Sequence, residues 1–176
     1  LEYYHRLFSL TGTDENRNHK IASIYKWIGI VYKDNNDNNN ALVNLQKSLV
    51  LSDSINDKAG IKFALDEIGS VYHNQGLIEK AIESHKRAVR LADSIQFTTG
   101  KAASEYLLAS DYYAKKDFKT AKQYNNDALS FFSTTKLDMK ALSESELLAS
   151  RIDSASGDAN GAYTHYKNYV SLTNKL

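Results

Sequence analysis

A pattern that returns about every forty residues restricts this chain to architectures made of stacked, self-similar units. The clearest copy runs from Ala64 to Val89, where Leu65, Ile68, Gly69 and Tyr72 are followed by Gly76, Ala81 and Ala88. One period earlier stand Tyr25, Ile28, Gly29 and Tyr32, then Ala41 and Ser48. One period later stand Leu108, Ala109 and Tyr112, then Ala121 and Ala128. A weaker fourth copy has Ala149, Ser150 and Asp153 ahead of Ala162. The connectors repeat as well, because the segment Leu51–Ile55 returns as Leu91–Ile95 and Gly60 returns as Gly100. Within each copy the apolar residues fall at helical spacing, as in Ile21, Ile24, Tyr25, Ile28 and Tyr32. A turn signal splits each copy in two, Gly76 in one and the run Asp34–Asn40 in another, since Asn and Asp tolerate left-handed backbone. The outer helix of the first copy, about 39–54, turns Ala41, Leu42, Leu45, Ser48 and Leu49 inward. Small residues at Gly29 and Ala41, Gly69 and Ala81, and Ala109 and Ala121 are expected to let paired helices approach closely. The reading is therefore all-α, a stack of antiparallel helix pairs that bury their apolar faces only on one another.

In the order of its small and large residues the repeat resembles the tetratricopeptide repeat, whose pattern is W-x2-L-G-x2-Y, then A-x3-F, then Pro. The resemblance covers nearly the whole chain and implies a right-handed superhelical solenoid. Two departures stand out. The family's first Trp is replaced by Tyr25, Leu65, Glu105 and Glu146, and the chain has no proline. The period exceeds the family's 34 residues and resembles the long-helix variant of bacterial signalling proteins. One solenoid domain over 1–176 is expected, with repeats at 13–55, 56–95, 96–135 and 136–176 and the end of a preceding repeat at 1–12. That opening segment carries Tyr4, Leu7, Phe8 and Thr11 on one stripe, closed by Gly12, with Thr13 or Asp14 as the next cap. It begins at Leu1 without a signal-peptide pattern, so the array is expected to be cut inside a repeat.

Charge and composition narrow the partners. The chain has 22 basic and 21 acidic residues, a net charge of +1, which gives no long-range attraction for nucleic acid or an anionic membrane. The cluster Lys80, Lys86, Arg87 and Arg90 is interleaved with Glu79, Glu83 and Asp93, and a Glu83–Arg87 pair at i, i+4 makes it a solvated outer face. No apolar stretch is long enough to span a bilayer. With no cysteine, disulfide and thiol chemistry are excluded and the compartment is left open, cytoplasmic or periplasmic.

A search for catalytic chemistry finds none. The histidines at 5, 19, 73, 85 and 165 have neither metal-ligand spacing nor an adjacent Glu base, and His85 falls at a core-facing position of the repeat. The run Asp34, Asn36, Asn38 resembles a calcium loop but has Asn39 at the sharp turn and Leu45 at the bidentate ligand, so it reads as a turn. There is no glycine-rich phosphate loop. No metal, no cofactor and no enzymatic activity are expected.

The tyrosines at 25, 32, 72, 112 and 166 occupy packing positions. The family resemblance implies that the first helix of each repeat lines a concave groove, and residues beside the packing stripe face it. Those are Lys26, Trp27, Ile30 and Lys33, then Phe63, Asp66, Glu67, Ser70 and His73. The third repeat adds Tyr106, Ser110 and Tyr113, and the fourth Glu144, Leu148 and Arg151. Rigid aromatics among charges of both signs suit a protein or peptide segment. Trp27 and Tyr106 have a competing role, filling the space between neighbouring inner helices. Asp66 and Glu67 depart from the cationic clamp that some relatives use for a peptide carboxylate. The expected function is a non-catalytic protein-binding module, the sensory or regulatory part of a larger bacterial signalling or transcription-regulatory protein. The alternative is a structural spacer that self-associates through its terminal helices, 1–11 and 163–172. A phosphorelay regulator acting on a phospho-aspartate would need a further helical bundle that this segment does not contain.

Overall fold

The computed structural model describes residues 17–135 and 137–175, and these form eight α-helices and no strand. Two compact units divide between Gln96 and Phe97. The first holds α1 (Arg17–Asp34), α2 (Asn38–Ser54), α3 (Lys58–Asn74) and α4 (Ile78–Ser94). The second holds α5 (Thr98–Ala114), α6 (Phe118–Thr135), α7 (Met139–Ala155) and α8 (Ala159–Thr173). Within each unit every helix packs on the next, and the first helices of successive repeats also touch, α1 on α3 and α5 on α7. The expected stripe over 1–11, its Gly12 stop and the Thr13 or Asp14 cap lie outside the described residues.

The forty-residue period is set by left-handed residues. Asn36, Gly76, Lys116 and Gly157 have φ of 60°, 72°, 66° and 84° and each ends the first helix of a pair. At every one of them the amide two residues into the turn reaches back across the helix end: Asp37 to the Tyr32 carbonyl, Leu77 to Tyr72, Asp117 to Tyr112, Asp158 to Asp153. These are the paired carbonyl-capping bonds of a helix that stops on a left-handed residue. The Asp34–Asn40 run is thus a turn, with Asn36 in the conformation Gly76 adopts. Asn56 and Gln96, at φ 53° and 55°, perform the same closure at the end of α2 and α4. An aspartate then opens most of the following helices. Asp37, Asp57, Asp117, Asp138 and Asp158 accept from the amides of Asn40, Gly60, Thr120, Ala141 and Gly161, while Leu77 and Phe97 cap nothing. Hydrogen bonds from Thr120 hold the Asp117 carboxyl below the usual carboxylate range.

Core packing follows the expected faces, with one refinement. Ala41, Leu45, Ile68 and Val71 make the centre of the first unit, with Tyr32, Leu42, Leu49 and Tyr72 packed around them. Beside Gly29 it is the Leu45 side chain that takes the space, its Cγ lying 2.6 Å from where a Cβ would stand, and the Ala41 carbonyl oxygen lies at 3.2 Å. Beside Gly69 the same register position brings the buried His85 ring, whose Nε2 is 3.1 Å from the Asp66 carbonyl oxygen. The close approach therefore accommodates the residue four beyond the expected alanine. The second unit packs Ala102, Ala128, Leu129, Phe132, Leu142 and Ala149 together. Tyr112 is buried and stacks on Tyr124 at 5.8 Å.

Two expectations are corrected. Tyr166 was placed in the core, but it is half exposed on α8, which has no fully buried residue. The described residues contain no inner helix after α8 to cover that face. The Glu83–Arg87 pair does not form. Arg87 and Arg90 instead border a shallow surface cleft with Lys58 over Ile61, Leu65 and Leu91.

Candidate binding surface

In the first unit the contact between α1 and α3 gathers side chains from two repeats onto one surface. Lys26 is central. Its ammonium lies 4.9 Å from the Trp27 ring centroid and 4.9 Å from that of Phe63. Both rings are exposed, Trp27 by 47% and Phe63 by 37%, so large apolar surface faces outward on either side of a cation. Burial of the Lys26 stem and head lowers its pKa, with the Glu67 and Asp57 carboxylates opposing that shift. Among the described residues no carboxylate touches Lys26 itself. About two helical turns further, Lys33 Nζ donates to Glu67 Oε2 at 2.6 Å and ties the two helices together. Ile30, Ser70 and His73 are half-buried along the same pair of helices.

Asp66 is placed differently from its neighbour Glu67. It is 6% exposed and pairs with Lys62 Nζ at 2.7 Å, and Lys62 is among the most deeply buried side chains of the chain. Lys62 also lies over the Phe63 ring at 4.7 Å. The sequence reading did not single out Lys62. A lysine in the second turn of a helix, four residues before an aspartate, has the look of a solvated pair, and only the surrounding packing makes it a buried one.

In the second unit the equivalent surface is formed by α5 and α7. Tyr106 packs against the core cluster of this unit. Its phenol pKa is raised by burial first, then by the Glu144 carboxylate, with the exposed Arg151 guanidinium opposing. Tyr113 lies against Phe118 at 5.7 Å and is half-buried, as is Ser110. Leu148 is buried. The fourth repeat replaces the usual tyrosine by Asp153, and its surroundings explain the change. Lys122 Nζ on α6 donates to Asp153 Oδ1 at 2.7 Å, which raises the Lys122 pKa. His165 on α8 places Nδ1 2.6 Å from Glu146 Oε2 and Nε2 3.7 Å from Asp153 Oδ2. Asn168 donates to the other Glu146 oxygen at 3.1 Å, and the Ser150 hydroxyl donates to the Ala162 carbonyl at 2.8 Å. Polar bonds thus hold α8 where apolar packing holds the earlier outer helices. Glu146 at the place of the family's Trp, together with Ser150 and Asp153 at the Gly and Tyr positions, is the sequence signal of this arrangement.

Among the described residues no group of His, Cys, Asp and Glu could hold a metal ion, and no helix is long and apolar enough to cross a membrane. No curated protein sequence matches the chain. Solved structures share its fold at low identity. BtubC from P. vanneervenii superposes with a TM-score of 0.83 at 14% identity over 98% of this chain and 71% of its own. The apo form of RapI gives 0.84 at 15% identity, over 98% of this chain and 62% of its own. Aspartyl phosphate phosphatase F from Bacillus subtilis gives 0.76 at 13% identity, over 98% and 54%. The chain therefore spans less than two thirds of the latter two proteins. Its helix pairs are of the kind that serves as a protein-interaction scaffold. Residues 62–134 match the tetratricopeptide-repeat family model, the flanking helix pairs keep the same order of helix, left-handed turn and helix, and the fold is that of a tetratricopeptide-like helical-repeat solenoid.

Proposed function

We propose that this array is a non-catalytic recognition module, that its four repeats act as one domain, and that it holds a protein or peptide segment against the first helices of its repeats. The observation that carries the reading is the pair of exposed rings, Trp27 and Phe63, set on successive inner helices with the Lys26 ammonium between them. Aromatic anchors beside a charge are the usual composition of a binding hot spot. The groove-facing set is Lys26, Trp27, Ile30, Lys33, Phe63, Glu67, Ser70 and His73 in the first unit; Asp66, expected among them, is instead buried against Lys62 and does not face a ligand. Tyr106, Ser110, Tyr113 and Arg151 form the corresponding set in the second. The likeness to RapI and to an aspartyl phosphate phosphatase supports a place in bacterial signal transduction, as the sensory or regulatory part of a larger protein.

A display-library selection for peptides, followed by titration, tests this. Truncating either ring, Trp27→Ala or Phe63→Ala, removes about 2 kcal/mol or more of binding, roughly thirtyfold in affinity. Melting curves of the two variants stay close to wild type because both rings are partly solvated already. Normal affinity in both variants places the ligand elsewhere and refutes the reading. A second reading, self-association, is favoured by α8, whose Tyr163, Tyr166 and Val170 form an exposed stripe. Sedimentation that detects only monomer at high concentration removes it.

A further inference from the structure

Behind the Lys26 surface, the beginnings of α1 and α3 and the end of α2 enclose a recess of about 230 Å³. Its floor contains the Ser52 hydroxyl, which is buried and has no hydrogen-bond partner. An orphaned buried hydroxyl forfeits about 1–3 kcal/mol unless something fills its place. Beside it lies Asp57. One carboxylate oxygen caps α3 through the Gly60 amide at 2.9 Å, and the other receives His19 Nδ1 at 3.0 Å. Gly60 adjoins both groups: a methyl group on its Cα would stand 2.6 Å from Ser52 Oγ and in collision with Asp57 Oδ2, so the two oxygens converge on one glycine at the edge of the recess. Lys26 also lines the recess, between ring faces and, among the described residues, with no carboxylate in contact, though the Glu67 and Asp57 charges act on it through space.

A cation and an anion thus face one cavity without pairing with each other. We propose that this recess binds a small zwitterion of the α-amino acid type, its carboxylate on Lys26 and its ammonium on Asp57 and Ser52. A purely anionic ligand would meet Asp57 and a purely cationic one would meet Lys26, and each like-charge encounter is costly in a partly desolvated site. A ligand carrying both charges at amino-acid separation satisfies both walls and leaves the net charge of the site unchanged. The volume agrees, being below the roughly 300–1,000 Å³ of sites for drug-sized ligands. His19 is half exposed at the mouth and yields Asp57 Oδ2 to the incoming ammonium. The recess shares Lys26 and Phe63 with the proposed segment-binding surface, but Ser52, Asp57 and Gly60 lie outside it, so variants at Ser52 and Asp57 test the recess separately.

The sole tryptophan, Trp27, touches Lys26 and reports on the site by fluorescence. The full chain is titrated with glycine, L-alanine, L-serine, L-glutamine and L-leucine, and with the N-acetyl and carboxamide forms of each. The expected result is saturable binding of at least one free amino acid, weakened tenfold or more in both blocked forms and in short peptides, whose terminal charges lie too far apart. Ser52→Ala weakens binding tenfold or more while its melting temperature is unchanged or raised. Asp57→Asn, which retains the helix cap, weakens it likewise. Absence of saturation with every free amino acid overturns the proposal, as does equal affinity for the blocked forms or an unaltered Ser52→Ala variant. A failed peptide selection with intact amino-acid binding would refute the groove alone.

Discussion

Removing the Lys62 ammonium while leaving Asp66 in place is the most demanding test of how the first unit is held together. The Lys62 side chain is 1% exposed and that of Asp66 8%, with 2.7 Å between Nζ and Oδ2, so neither charge can turn to water without opening the fold. Lys62→Met retains most of the stem and abandons a buried carboxylate. Breaking such a pair from one side costs about 3–5 kcal/mol. For a chain of this length each kcal/mol moves the melting temperature by about 2–4 °C, which places the variant roughly 6–20 °C below wild type. The double variant Lys62→Met/Asp66→Leu removes both desolvation penalties and is expected between neutrality and a gain of about 1–4 kcal/mol. Urea unfolding followed by far-UV circular dichroism, run on wild type, both single variants and the double, closes the cycle. A loss under about 1 kcal/mol for Lys62→Met would refute the argument, because that is the magnitude of a solvated pair. So would a double variant less stable than either single one.

Two further perturbations address the turns and the second unit. Leu77→Asp supplies α4 with the cap that Asp37, Asp117 and Asp158 supply at the same point of their repeats, and a gain of about 1 kcal/mol is expected; an unchanged or lower urea midpoint contradicts it. Tyr106 has a raised phenol pKa in the folded chain, so its stabilising contribution is complete below the unfolded tyrosine value and is lost as pH rises through the folded one. Melts in alkaline buffers should show that loss in wild type and a shallower one in Tyr106→Phe, and parallel curves would mean that the phenol is not desolvated.

The fold was legible because each turn depends on few residue types. Gly76 and the Asp34–Asn40 run announced left-handed positions one period apart, and the structure puts Asn36 and Gly76 there. Lys116 performs the same turn with no such signature, so the period, not the residue, locates it. The recurrence of Gly60 and Gly100 marked the register without its reason, which is that the residue three earlier lays its side chain over each glycine, Asp57 in one case and Phe97 in the other. The surface was less legible. Helical spacing put Lys26, Trp27 and Phe63 on inner helices, but nothing in one dimension separates Asp66, sealed against Lys62, from Glu67, bonded to Lys33. The Ser52 recess left no trace either, because its walls come from three helices.

The left-handed residues also govern how a chain of this kind can change in length. Helices α2, α3, α4, α5 and α7 are each 17 residues long; the second helices α2 and α4 stop one period apart at Ser54 and Ser94, and the first helices α3, α5 and α7 stop about one period apart at Asn74, Ala114 and Ala155. One residue inserted within such a helix would rotate everything beyond it by about 100° and turn a buried face outward. The fourth repeat is displaced by one residue, and the extra residue falls at the C-terminal end of α6, which has 18 residues where α2 and α4 have 17, beyond its last buried side chain, Phe132. Duplication or deletion of whole repeats, with single-residue drift confined to the ends of helices, is the evolutionary route that leaves every helix facing its neighbours.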